Sequence, residues 1–207
     1  YSPSIFYWFK DNASSIIYKH DLNTTSVVVE AGGYTGNWCL KINEKYNCII
    51  LTYEPVNEYF SELKTRTSKF GKIKSYNYGL GKENKKVGVM LRGVQTTTLK
   101  QNGKYNEIIE IRDIYSVEEL KNINIDLFHI NIEGGEYELI RRMIETNMII
   151  HINSLQVQFH EWYPSYKQSK RLRNSIHKSL NQTHVLTYCY PFVWENWKIK
   201  PHKDGGG

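Results

Sequence analysis

Short apolar, β-branched runs alternate along this chain with longer stretches of helical spacing. Val27, Val28 and Val29 follow a polar, turn-like segment (21–26) and stop at Glu30. Gly32, Gly33 and Gly36 come at once, and 37–45 then has helical character, so the order is strand, glycine-rich turn, helix. A second apolar run, 48–53, ends at Glu54 and Pro55; Pro55 suits the first turn of a helix over 56–69. Residues 73–76 read as a third strand ending at Asn77. This β-α-β-α-β order predicts a parallel sheet with crossover helices.

The stretch 82–114 breaks the alternation. Two β-prone runs, 86–91 and 108–111, flank a polar stretch containing Gly103, which predicts an inserted hairpin. A short helix is expected over 116–122, with Ser116 as cap and Glu119 completing a capping box. The alternation then resumes. A strand (125–132) is followed by a turn at Gly134 and Gly135, and a helix (136–146) sets Leu139, Ile140 and Met143 on one face. A strand (155–159) ending at His160 and Glu161 precedes a helix (165–180) and two closing strands (185–190 and 193–199). No internal repeat or low-complexity segment occurs, so one α/β domain is expected over 1–204, with 1–25 as an N-terminal cap and 205–207 as a linker or engineered scar.

Composition narrows the class. The 207 residues suffice for one domain with a real core. The longest apolar runs, such as 48–51 and 148–150, are far too short to cross a bilayer, and 1–10 has no secretory pattern, so no membrane partner and a cytoplasmic setting are expected. The three cysteines, Cys39, Cys48 and Cys189, have neither a disulfide framework nor zinc spacing and read as small core residues in a reducing compartment. The net charge of +6 permits an anionic partner. Its densest basic stretch (Lys167, Lys170, Arg171, Arg173, Lys178) falls at helical spacing and reads as a solvated helix face. The 16 Tyr and 5 Trp suit stacking on sugar rings or bases and serve equally as core filler.

Five strand ends carry candidate chemistry. At the first, Glu30 precedes Gly32, Gly33, Tyr34 and Gly36. A nucleotide-type ligand needs close backbone approach there, and glycine permits both the approach and the dihedrals. The spacing Gly-x-x-x-Gly differs from the dinucleotide fingerprint, which argues against an NAD-dependent enzyme. S-adenosylmethionine (SAM) carries a sulfonium and an ammonium but no phosphate, so acidic character favours it. At the second, Glu54 can accept hydrogen bonds from two ribose hydroxyls. At the third, Asn77 in Asn77-Tyr-Gly79-Leu-Gly81 can bond an adenine, the glycines leaving room for the base. At the fourth, His129, Asn131 and Glu133 alternate on one side if the strand persists, and Glu133 or His129 can act as general base. Glu133 can alternatively ligate a divalent metal. At the fifth, His160 and Glu161 are further candidates for base or metal ligand, Glu161 can also contact an acceptor, and Trp162 and Tyr163 can form a stacking wall for it.

These stretches together resemble the FkbM family of methyltransferases. The matching pieces are Val28-Val-Glu-Ala-Gly-Gly-Tyr-Thr-Gly36, Tyr53-Glu-Pro55, Asn77-Tyr-Gly-Leu80 and, most specifically, Ile125-Asp-Leu-Phe-His-Ile-Asn-Ile-Glu-Gly-Gly-Glu136, so the resemblance runs from about Ser26 to Glu161. It implies a Rossmann-like, mostly parallel seven-stranded sheet with helices on both faces, SAM as donor, and O-methylation of a glycan or polyketide-like hydroxyl. It implies SAM contacts at Glu30, Gly32, Gly36 and Glu54, and it puts Glu133 and Glu136 near the reaction centre, where Glu136 is expected to contact the acceptor. Three positions depart from the family pattern: Glu30 stands for the usual Asp, His129 for the usual Lys, and Asn131 for the usual Asp. Loss of that second carboxylate weakens a metal site. Two other readings remain open: a nucleic-acid methyltransferase, and a non-catalytic SAM-fold module attached to a glycosyltransferase.

Overall fold

The computed structural model describes residues 3–90, 107–161 and 165–201. Helix α1 (Pro3–Lys10) and a 3-10 turn (Ala13–Tyr18) precede the alternating part. There β1 (Val27–Ala31), α2 (Asn37–Tyr46), β2 (Ile49–Tyr53), α3 (Asn57–Thr67) and β3 (Ile73–Tyr76) follow the predicted order. After them come β4 (Gly79–Gly81), β5 (Lys85–Val89), β6 (Glu107–Asp113), β7 (Leu127–Ile130), α4 (Glu136–Glu145), β8 (Ser154–Val157), α5 (Tyr166–Thr183), β9 (His184–Tyr190) and β10 (Trp194–Ile199).

The main sheet has seven strands in the order β3-β2-β1-β7-β8-β10-β9. Its first five strands are parallel, and β10 runs antiparallel to both neighbours. Strands buried on both faces need apolar residues at odd and even positions alike. In β1, Val29 and Ala31 join the core beneath α4 and α5, while Val28 joins the core beneath α2 and α3. In β7, Phe128 and Ile130 face the first layer and Leu127 the second. The result is the expected Rossmann-like α/β sandwich with helices on both faces.

The hairpin expected over 82–114 forms as β5 and β6, antiparallel from Lys85↔Ile111 to Val89↔Glu107. It gains a third strand, β4, which pairs in parallel with β6. This pairing corrects the reading of Gly79 and Gly81 as space for a base. A Cβ on either would sit within 2.6 Å of the Ile111 side chain, so these glycines accommodate β6. The helix expected at 116–122 is two 3-10 turns, Ile114–Ser116 and Glu118–Leu120. Asp113 caps the first of them, and Glu119 accepts from the Tyr53 and Tyr78 hydroxyls rather than closing a capping box.

Two further expectations change. Lys167, Lys170, Arg171 and Lys178 are exposed as expected, but Arg173 lies on the opposite, buried stripe of α5. There its guanidinium pairs with the fully buried Glu195, which also faces His177 Nε2 at 2.6 Å. Of the two roles open to the aromatics, Trp8, Trp38, Trp194 and Trp197 take that of core residues. Trp162 and Tyr163 lie outside the described residues. Cys39 and Cys48 are buried free thiols and Cys189 is a half-buried one. No helix among the described residues is long and apolar enough to cross a membrane.

Candidate functional site

In parallel α/β sheets, ligands meet the carboxyl ends of the strands. Here β1, β2, β3, β7 and β8 deliver their candidate residues to one edge. Loop 31–36 leaves β1 through Gly32 (φ 89) and Tyr34 (φ 47) and enters α2 at Gly36 (φ 87). Glycine is required at Gly32 twice over. The backbone is left-handed, and an added Cβ would lie 2.0 Å from the backbone oxygen of Asn131. At Gly33 a Cβ would meet Thr52 Oγ1 at 2.3 Å. The loop is therefore pressed against the β7 turn and against β2.

Glu30 is almost fully buried, and Thr52 donates a hydrogen bond of 2.6 Å to its Oε2. Burial pushes its carboxyl up to about 8, against the hydrogen bonds from Thr52 and Cys39 that favour the anion. Glu54 lies at the end of β2. Its Oε2 accepts from Tyr34 N and its Oε1 from Val56 N, each at 2.9 Å. Burial raises this carboxyl to about 7, the two backbone donors acting the other way. Each oxygen uses one acceptor position here, leaving a second for a further donor. The Asn77 amide nitrogen donates to the backbone oxygens of Glu54 and Pro55 at 3.1 and 3.4 Å, tying the β3 end to the β2 turn. The Tyr34 ring meets Tyr59 edge-on at 4.5 Å between centroids.

The fourth strand end departs from the alternation. β7 stops at Ile130, so His129, Asn131 and Glu133 do not share a face. His129 points into the core instead of the site. Its ring stacks on Trp38 at 3.9 Å and on Trp194 at 4.9 Å. Gln156 donates to the Tyr188 hydroxyl through Nε2 and accepts from His129 Nδ1 through Oε1, at 2.7 and 2.6 Å. Burial pushes this imidazole down to about 3. A neutral ring with its donor already used is packing, so His129 is withdrawn as a base.

Asn131 stays at the edge, its backbone N–H donating to Ala31 O at 3.0 Å. Its Oδ1 is buried and has no hydrogen-bond partner among the described residues. Glu133 has a left-handed backbone (φ 50), and its side chain is 30% exposed. Its Oε1 lies 3.4 Å from His160 Nε2, and His160 Nδ1 lies 3.2 Å from Glu136 Oε1. Glu136 is fully buried and bonded to backbone amides on both sides, so it is not an acceptor-facing residue as expected. Glu161 follows His160 directly and is half-buried. Among the described residues, no group of three His, Cys, Asp or Glu side chains is placed to hold a metal ion.

The left-handed backbones of Tyr34 and Glu133 were not legible in the sequence. Most other non-glycine residues with positive φ among those described are Asn, which tolerates that conformation. A Tyr and a Glu held there, in the two loops that face each other at this edge, mark the strain that accumulates at functional sites.

No family model matches the chain, and no curated protein matches it. Solved structures do match. One is a Clostridium thermocellum protein described as an rRNA methylase (TM-score 0.56, 6% identity, 92% of this chain and 97% of that one). Another is an rRNA methylase from Streptococcus thermophilus (TM-score 0.53, 10% identity, 91% and 95%). A third is the 23S rRNA methyltransferase ErmE (TM-score 0.51, 11% identity, 92% and 68%). At these identities the likeness is one of fold. The chain has the Rossmann-like fold of class I methyltransferases.

Proposed function

We propose that this chain is a SAM-dependent O-methyltransferase acting on a sugar or glycan hydroxyl, as the resemblance to the FkbM family implies. The observation that carries the cofactor half is Asn131 Oδ1, a buried acceptor beside the glycine loop with no partner among the described residues. A buried polar atom left without a hydrogen bond costs about 1–3 kcal/mol, so an acceptor in this position is matched by a donor that arrives from outside. The ammonium of SAM is such a donor. Glu30 and Glu54 add acidic character suited to a cationic ligand, and no phosphate-binding spacing competes with it.

The residues that would hold the cofactor are Glu30 and the backbone of Gly32, Gly33, Tyr34 and Gly36 under the amino-acid part, with Asn131 beside them. Glu54 has an acceptor position free on each oxygen for the ribose. Asn77 holds the turn against which the base would lie. Bound there, SAM supplies a methyl group on a sulfonium, already activated for in-line transfer to oxygen. The chain must then orient the acceptor hydroxyl and take its proton, and Glu133 reaches the same edge with an exposed carboxylate. Glu161 and Trp162 are the acceptor-side candidates. The free thiols fit a reducing, cytoplasmic setting.

Titration calorimetry with S-adenosylhomocysteine tests the cofactor half, and absence of binding would leave only a non-catalytic module, attached to a glycosyltransferase or otherwise. A transfer assay with labelled SAM over a glycan panel, with and without EDTA, tests the acceptor and any metal. The Glu133→Gln variant should keep the cofactor affinity and lose turnover by about 10²–10⁴-fold; unchanged turnover would remove Glu133 as the base.

One observation favours a nucleic-acid acceptor as a second reading. Helix α5 spans 18 residues without an acid and exposes Lys167, Lys170, Arg171 and Lys178 along one side. RNA binding that falls steeply with salt would support that reading over a neutral glycan.

A further inference from the structure

Glu136, in the first turn of α4, has no exposed surface, yet it makes three polar contacts across the site. Its Oε2 accepts from Gly134 N at 2.8 Å. Its Oε1 accepts from His160 N at 2.7 Å and faces His160 Nδ1 at 3.2 Å. The other ring nitrogen, Nε2, lies 3.4 Å from Glu133 Oε1. The three side chains thus form a line from the protein interior to solvent.

We propose that Glu136 is a positioning residue that acts through His160, fixing the imidazole so that its Nε2–H is held against Glu133 and so aiming the carboxylate that takes the acceptor proton. The chemistry rests on the methyltransferase reading above; the three-residue line does not.

The bond to His160 N fixes the segment that follows β8, and the contact with Nδ1 fixes the rotation of the ring. With Nδ1 turned inward, only Nε2 is left to face Glu133. The bond to Gly134 N pins the loop on which Glu133 sits, next to its left-handed residue. One buried carboxylate therefore sets the position of both members of the outer pair. Burial disfavours a charged His160, but the hydrogen bonds its ring donates to Glu133 and Glu136, with their negative charges, outweigh it and raise the ring to about 9. Among the described residues, the titratable groups facing the ring are Glu133 from the loop and Glu136 from α4; Tyr137, also on α4, donates its hydroxyl to His160 O at 2.7 Å. Below that pH the ring carries both protons and cannot accept another. His160 is then the holder of Glu133, and the proton of the acceptor hydroxyl passes to the Glu133 carboxylate.

The test is an NMR titration of the His160 imidazole in the full chain, without cofactor or acceptor. The wild-type midpoint is expected near 9 and should fall by more than one pH unit in Glu136→Gln and in the milder, partly exposed Glu133→Gln. Glu136→Asp, which keeps the charge, should restore most of the shift. The alkaline limb of kcat should move with the midpoint in Glu136→Gln. A wild-type midpoint near 6.5, or a Glu133→Gln midpoint equal to the wild-type one, overturns the proposal even if Glu136→Gln fails to fold. A kcat lowered equally at every pH with an unmoved limb also overturns it, by making Glu136 structural only. Titrations as expected in a chain that transfers no methyl group would sink the methyltransferase reading and leave the coupling between the three residues standing.

Discussion

Gly32 lies directly against the backbone oxygen of Asn131: a Cβ on Gly32 would approach that oxygen to 2.0 Å. The glycine loop after β1 and the turn after β7 are therefore one packed unit. Gly32→Ala should destabilise the fold by about 1–3 kcal/mol from overpacking, with added strain from its φ of 89. Urea denaturation checks this, and a variant as stable as wild type would mean that the two loops can separate at little cost.

Glu30 and Glu54 give stability a pH dependence of definite sign. Both carboxyls are raised in the folded state, to about 8 and about 7. Each holds its proton more tightly folded than unfolded, so this contribution is complete below the unfolded carboxylate range and is lost as pH rises through about 7–8. Thermal midpoints should fall between pH 5.5 and 8.5, and Glu30→Gln should flatten the slope. An ammonium group favours the ionised carboxylate, so affinity for S-adenosylhomocysteine, a zwitterion that carries one, should move the opposite way, rising several-fold as Glu30 ionises between pH 7 and about 8. Calorimetry across that range in parallel with the melting series reads both signs.

His129→Ala should lower stability without touching chemistry. Removing a ring stacked between Trp38 and Trp194 leaves a cavity and strands Gln156 Oε1, at a cost of about 3–5 kcal/mol. Turnover per folded molecule should match wild type. A selective loss of kcat in a folded variant would return His129 to the list of bases.

Glu195→Ala should be severe for a different reason. It leaves the Arg173 guanidinium buried without its carboxylate, which costs about 3–5 kcal/mol. A double variant replacing both with apolar residues should recover part of the loss. Chemical denaturation of the single and double variants measures the recovery.

The fold was legible in the sequence because the first two strands are short apolar runs that reach a Glu, Val27 to Glu30 and Ile49 to Glu54, and the third ends at Asn77. The helices followed from periodicity, and the acids at the strand ends followed from both. The errors are all non-local. Gly79 and Gly81 answer to Ile111, thirty residues on, which no local pattern announces. The alternation of His129, Asn131 and Glu133 assumed that β7 continues, whereas the chain turns after Ile130 and sends His129 into a pocket built by α2 and β10. Arg173 looked like one more cation on a basic helix until β10 brought Glu195 beneath it. Glu136 looked like a substrate acid because its partners, two backbone amides, are invisible to a reading of side chains.

The placement of the indoles has a practical side. Trp38 and Trp194 clamp a neutral imidazole beside β1, while Trp8 and Trp197 sit in other parts of the interior. Emission from these four rings reports packing in several regions at once, so in a Trp162→Phe background, which removes the fifth indole, a shift of the spectrum to the red signals loosening of the sheet and its flanking helices.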